Sequence, residues 1–132
     1  MKLKTWLRTT GAAMALAAAI WLAGAPARAE VPPDVKKIFG DNCKKCHGWD
    51  GKGQTGMGKK LKIVDFTAAG FQKKVDDKTI KKTILDGYED PADPKRKMKA
   101  YKGEVSEAQA AELVKVIRAF AKTPGPFASE VK

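Results

Sequence analysis

The chain is poor in the residues that usually build a core. Beyond position 29, only 21 of 103 residues are Leu, Ile, Val or Phe, close to the level at which a chain stops folding on its own. One histidine and two cysteines are too few for a disulfide scaffold or a four-ligand zinc site. Acidic residues are absent from the first 29 positions, which carry Lys2, Lys4, Arg8 and Arg28. Setting those four aside reduces 26 basic residues to 22, against 15 acidic, so the formal charge falls from +11 to +7. No long apolar run occurs either. The longest, Gly11–Gly24, would rise about 21 Å as a helix, short of a ~30 Å hydrocarbon layer. With 132 residues in all, these shortages exclude a multidomain enzyme, a coiled coil and a multispan membrane protein. They also imply that something besides side chains fills the centre.

The first 29 residues have a purpose of their own. Lys2, Lys4 and Arg8 precede the apolar run, and Pro26-Ala27-Arg28-Ala29 places small residues where a signal peptidase reads them. Residues 1–29 are therefore predicted to be a cleaved Sec-type signal peptide, cut before Glu30. There is no twin arginine, and no cysteine near the cut that could carry a lipid. The expected product is an exported, periplasmic protein without stable membrane insertion. Export also removes nucleic acid from the expected partners, because the remaining positive charge acts in another compartment.

Residues 30–122 are expected to form one domain, with 123–132 as a loose C-terminal tail. Pro32-Pro33-Asp34 punctuates a helix start, followed by Val35, Ile38 and Phe39 on one face. Five glycines between 48 and 58 require a loop, and 61–66 reads as extended or irregular, with a β-strand as the alternative. Asp76 or Asp77 can cap a helix carrying Ile80, Ile84 and Leu85 and ending at Gly87. Residues 87–103 read as a long charged loop. Ser106 and Gln109 form a capping-box pattern before Leu113, Val116, Ile117 and Phe120. The fold class is all-α, three to four helices joined by long loops, an arrangement that needs a central ligand.

The chemistry lies in Cys43-Lys44-Lys45-Cys46-His47, a C-x-x-C-H attachment signature for haem c. One helical turn separates two thiols that can each form a thioether with one vinyl group of the same porphyrin. The adjacent imidazole can then ligate the iron. Other readings fare worse. A disulfide here would close a very short loop and stabilise little, and a thioredoxin-like pair needs a βαβ context that the pattern lacks. Zinc would want a fourth ligand. For the far side of the iron the soft candidates are Met57 and Met98. Met57 lies in the glycine-rich loop, where methionine is commonly filler. Met98 sits among Lys95, Arg96, Lys97, Lys99 and Lys102, an odd place for a core residue, which favours it as sixth ligand over Met57 or an open site.

On these motifs the chain resembles the small bacterial mono-haem class I cytochromes c. The likeness runs through Cys43-x-x-Cys46-His47-Gly48, Asp50-Gly51-Lys52-Gly53, Gly58-Lys-Lys-Leu61 with Asp65-Phe66, Ile80-x-x-x-Ile84-x-x-Gly87, Met98-x-Ala100-Tyr101 and Ser106 to Phe120. It implies a cytochrome c fold around one covalently attached haem, and Cys43 and Cys46 as thioether anchors. It also implies His47 and Met98 as axial ligands, and crossed first and last helices with Phe39 near Leu113 and Val116. Lys99 stands where the family usually has proline. Val35 stands at the usual small residue of the helix crossing, and Val116 at the usual aromatic.

A six-coordinate iron has no vacant site for substrate, so the expected function is one-electron transfer and not enzymatic turnover. Phe66, Phe71, Ile84, Leu85 and Tyr101 are expected around the porphyrin, as any core would also require. Lys44, Lys45, Lys59, Lys60, Lys95, Lys97 and Lys99 would steer redox proteins with an acidic docking surface, or are solvated loop. Asp86, Glu89, Asp90 and Asp93 form an acidic counterpatch that would orient a molecular dipole, or serve only loop solubility. The expected carrier is a monomer. The alternatives are a haem enzyme or gas-binding protein with a labile sixth ligand, weakly peroxidase-like, and an electron-entry subunit of a larger oxidoreductase.

Overall fold

The computed structural model describes residues 30–132, so the signal expected over 1–29 lies outside it. Helix α1 (Pro33–Ile38) starts with proline at its first position, where the missing N–H costs nothing. It runs through a π-helical turn (Phe39–Cys43) into α2 (Lys44–His47). Short helices α3 (Gly56–Leu61) and α4 (Ala69–Lys74) follow. Then come α5 (Asp77–Asp86), β1 (Tyr88–Asp90), β2 (Asp93–Met98) and α6 (Glu107–Ala119). A 3-10 turn, Ala128–Glu130, closes the chain.

The local signals that were strong in sequence produce the elements they promise. Asp76 caps α5, accepting from the Thr79 amide at 2.7 Å, and Gly87 ends it. Ser106 and Gln109 close a full capping box on α6, with both reciprocal bonds made. Backbone hydrogen bonding holds the Asp76 carboxyl below its ordinary value of 3.8. A depressed carboxylate pKa contributes stability that is present above the ordinary value and is lost as pH falls through the folded one. Asp76→Ala is accordingly expected to melt lower than the wild type at neutral pH, with a smaller further loss towards about pH 3. Thermal melts of both proteins at the two pH values measure this.

Two expectations are corrected. The region 87–103 is not all loop, since β1 and β2 form an antiparallel hairpin pairing Tyr88 with Met98 and Glu89 with Lys97. A two-stranded ribbon built from Lys, Arg, Asp and Pro has no hydrophobic alternation to reveal it. The all-α class stands, with this one ribbon added. The segment after Leu61 is irregular, as its sequence suggests, and forms no strand. It turns through Lys62, whose φ is 50°. The C-terminal segment is not loose, because Phe127 is only 2% exposed and its ring centroid lies 4.8 Å from that of Phe39. A lone aromatic between Pro126 and Ala128 carries no periodicity, so its burial was invisible in the sequence.

Helices α1 and α6 meet, and Val35, Phe39, Leu113 and Val116 share one buried cluster. The aromatic of this crossing is Phe120 at the C-cap of α6, with its ring 5.8 Å from Phe39, one turn beyond Val116. Trp49 also stacks on Phe39, again at 5.8 Å. This aromatic knot forms one side of the core, while α3, α5 and the hairpin enclose the other.

Candidate functional site

The Cys43–His47 segment is held in place through backbone carbonyls in and beside it. The loop after it folds back so that Thr55 caps α3 by accepting from the Gly58 amide at 2.9 Å and donates to the Cys46 carbonyl at 2.8 Å. Gly58 must be glycine here, because a Cβ would lie 2.2 Å from the Gly53 carbonyl oxygen and 2.5 Å from that of Cys46. On the other side, the Tyr101 hydroxyl donates to the Asn42 carbonyl at 3.1 Å, within the π-turn next to Cys43. That turn displaces carbonyls from the regular helical ladder, and Tyr101 satisfies one of them.

The segment around Met98 is equally constrained. Met98 ends β2 opposite Tyr88. The amides of Tyr101 and Lys102 then donate to the carbonyls of Ile84 and Leu85 at 3.1 Å each, fastening the loop to the end of α5. Gly87, at φ 80°, lets the end of α5 come so close that a Cβ there would sit 2.7 Å from the Met98 carbonyl oxygen. The rigidity that proline usually supplies after this methionine thus comes from a hairpin and two helix-end hydrogen bonds.

Between these two segments lies an apolar cavity of about 330 Å³. Cys43, His47 and Met98 all line it, together with Phe66, Phe71 and Ile84. The expected lining residues Leu85 and Tyr101 are buried in the core but are not on its wall, and neither is Cys46. Met57 is 36% exposed on α3 and does not border the cavity. The lining also includes Leu61, Ile63, Val64, Tyr88 and Arg96, which sequence reasoning did not select. Leu61 to Val64 read as extended or irregular and Tyr88 as loop. Only the unusual choice of arginine in a lysine-rich run could have singled out Arg96.

The electrostatics suit a neutral donor set. Burial pushes the His47 imidazole down to about 4, so it is uncharged at neutral pH with a lone pair to offer. Burial, helped by neighbouring Cys46, pushes the Cys43 thiol up to about 12. Both cysteines are free thiols, and among the described residues no three His, Cys, Asp or Glu side chains converge on a metal position. The His47 ring stacks on Phe66 at 4.4 Å and 12°, which fixes its plane. Two buried side-chain polar atoms among the described residues have no hydrogen-bond partner, His47 Nδ1 and Arg96 Nε. Both belong to residues of the cavity wall. An apolar cavity with thiol, imidazole and thioether on its wall, and unmet polar valences on two lining residues, fits an iron porphyrin. Such a ring has an apolar body, a metal centre and acidic substituents.

The charge distribution differs from a simple dipole. Asp86 pairs with Lys82 and Asp90 with Arg96, each at 2.7 Å, and Asp93 lies 3.8 Å from Lys62. The expected acidic counterpatch is therefore interleaved with cations. Lys45, Lys59, Lys60, Lys95 and Lys97 are exposed, and none joins an ion pair among the described residues. Lys44 lies over the Trp49 ring at 5.3 Å, and Lys99 pairs with Glu104 at 2.8 Å. No described helix is long and apolar enough to cross a membrane.

Comparison with known proteins gives a consistent result. The family model for cytochrome c matches residues 33–120. A solved structure of KustC0563, a c-type cytochrome, is 31% identical, with a TM-score of 0.54, covering 65% of this chain and 95% of its own. A tyrosine-to-phenylalanine mutant of Kustc0563 is 32% identical at the same TM-score, covering 66% of this chain and 98% of its own. Among curated proteins none matches.

Proposed function

The chain belongs to the cytochrome c family, and from that premise we propose that it is a periplasmic electron carrier whose haem is held by Cys43, Cys46, His47 and Met98. Family membership makes it a c-type cytochrome, a non-enzymatic electron-transfer protein with covalently bound haem c. The observation that carries the finer reading is the shared cavity. The attachment segment and Met98 lie 51 residues apart in sequence yet border one apolar space.

Haem, when bound, supplies a one-electron ferric/ferrous couple. Cys43 and Cys46, one helical turn apart, would anchor it covalently. His47, kept neutral by burial and oriented by Phe66, would ligate the iron from one side, and Met98 would complete the ligation from the hairpin. A histidine–methionine pair raises the reduction potential, and the apolar lining excludes water, which favours the less charged ferrous state in the same way. With His47 and Met98 both holding the iron, the chain would leave no site there for a substrate.

The boundaries follow the same reading. Residues 1–29 serve as the export signal and are removed. The domain runs from 30 to 122, and the buried Phe127 ties segment 123–132 to it. The unpaired lysines would make association with acidic redox proteins faster at low salt. The holoprotein decides between the carrier and a ligand-binding or peroxidase-like protein. The carrier predicts low-spin iron in both oxidation states and no carbon monoxide uptake at neutral pH. High-spin iron that binds carbon monoxide readily would overturn it.

A further inference from the structure

Among the 22 basic residues after position 29, only Arg96 and Arg118 are arginines, and Arg118 is engaged through all three guanidinium nitrogens. Nε donates to Asp77 Oδ1 at 2.7 Å and Nη2 to the Val75 carbonyl. Nη1 donates to the Gln72 carbonyl at 3.0 Å and to the Gln72 side-chain oxygen at 3.1 Å. A planar fork that reaches several acceptors at once is what arginine offers over lysine. Gln72, half-buried on α4, is as fully used. Its amide nitrogen donates to the Phe66 carbonyl at 2.6 Å and to the Ile117 carbonyl at 2.9 Å. Two N–H bonds meet two carbonyls and the side-chain oxygen meets the guanidinium, so one orientation of the amide satisfies every partner. Neither Gln72 nor Arg118 lies on the cavity wall.

The network ends on a residue that does. Phe66 lines the cavity, and its ring covers a face of the His47 imidazole. Both polar groups of its backbone are fixed. The amide donates to the Gly51 carbonyl at 2.9 Å, in the loop after the attachment segment, and the carbonyl accepts from Gln72. Its ring packs in turn on Phe71 and Phe120, with centroids 5.3 and 5.9 Å away. A ligating imidazole is ordinarily held in its plane by a hydrogen bond from its second nitrogen. In His47 the buried Nδ1 has no such partner among the described residues, so the stacked Phe66 ring takes over that restraint.

We propose that Gln72 is a positioning residue for His47. It ties Phe66 to α6, and Phe66 then holds the plane of the imidazole offered to the iron. This rests on His47 as an axial ligand, as proposed above. The plane matters because the orbitals that share the unpaired electron of a low-spin ferric centre follow the planes of its axial ligands. Fixing the plane therefore fixes the electronic orientation of the centre that exchanges the electron. Helices α4 and α6 thus act on the site from outside it, through one side-chain amide.

The test is proton magnetic resonance of the ferric holoprotein, in which the spread of the porphyrin methyl signals reports the axial ligand planes. Gln72→Glu keeps the size and the Arg118 contact but removes both donors, and is expected to narrow that spread as the imidazole samples more planes. Phe66→Leu, which removes the flat face, should narrow it at least as much. The double variant should go no further than Phe66→Leu alone, because Gln72 acts through Phe66. Arg118→Gln releases the Gln72 side-chain oxygen and should narrow the spread by less, which keeps the readout available if Gln72→Glu does not fold. Asp76→Ala, which loses only the α5 cap, should melt earlier with the wild-type spread. If Gln72→Glu and Arg118→Gln likewise melt earlier with the spread unchanged, Gln72 is a clasp between α4 and α6 and the inference fails. A Gln72→Glu effect that adds in full to that of Phe66→Leu would overturn the route through Phe66. Absence of covalent haem from the denatured wild-type protein, read by mass before any variant is compared, would instead remove the reading beneath the inference and the inference with it.

Discussion

Met98→Ala is expected to convert the iron from six-coordinate low-spin to high-spin, with loss of the long-wavelength sulfur-to-iron absorption of the ferric protein. Carbon monoxide, which the wild type should refuse, should then bind the reduced variant readily. The potential should drop on the order of a tenth of a volt or more, a fraction of the ~0.8 V that axial ligation can span. The reason is local. Met98 is held by the Tyr88 pairing, by the backbone of Gly87 and by the fastening of Tyr101 and Lys102 to α5. Shortening the side chain therefore leaves a gap that the loop cannot close. Met57, exposed on α3 and away from the cavity, is no substitute, and Met57→Ala should leave the spectrum unchanged. A low-spin spectrum surviving in Met98→Ala would show that another group ligates the iron.

The second large effect concerns stability. Phe39 is 1% exposed, its ring contacts those of Trp49, Phe120 and Phe127, and it also borders the cavity. Phe39→Ala is expected to destabilise the holoprotein by about 3–5 kcal/mol, as full truncation of a buried aromatic does. Typical domains have only about 5–15 kcal/mol in total, so the variant should lie near the edge of folding. Guanidinium unfolding followed by haem absorbance would measure it. A loss below about 1 kcal/mol would mean that the aromatic knot collapses around the gap and that packing there is looser than the contacts indicate. Phe39→Leu should lose less, because it keeps much of the buried volume.

The two experiments probe features of very different legibility. The attachment segment could be read without a structure, because its chemistry requires two thiols one helical turn apart and an adjacent imidazole. The caps at Asp76 and Ser106 were legible for a similar reason, since an exposed amide at a helix start is satisfied by a side chain at a fixed short offset. The amphipathic face of α6 followed from the spacing of Leu113, Val116, Ile117 and Phe120. The hairpin was not legible, because β1 and β2 contain almost no apolar residues and their pairing depends on the chain ends that α5 and the Tyr101 loop bring together. Phe127 was missed because one aromatic after two prolines has no pattern to belong to.

Residue order alone thus determined the attachment chemistry, the helix ends and the shortage of aliphatics that calls for a large non-protein group at the centre. All of these depend on neighbours within a few positions, or on composition. The tertiary structure decided which methionine reaches the cavity, what stiffens the loop that carries it, and which of two arginines is left with an unpaired donor beside it. Those outcomes depend on contacts between segments tens of residues apart, where hydrogen bonds such as Tyr101 to Asn42 and close backbone approaches such as Gly87 to Met98 leave no trace in local pattern.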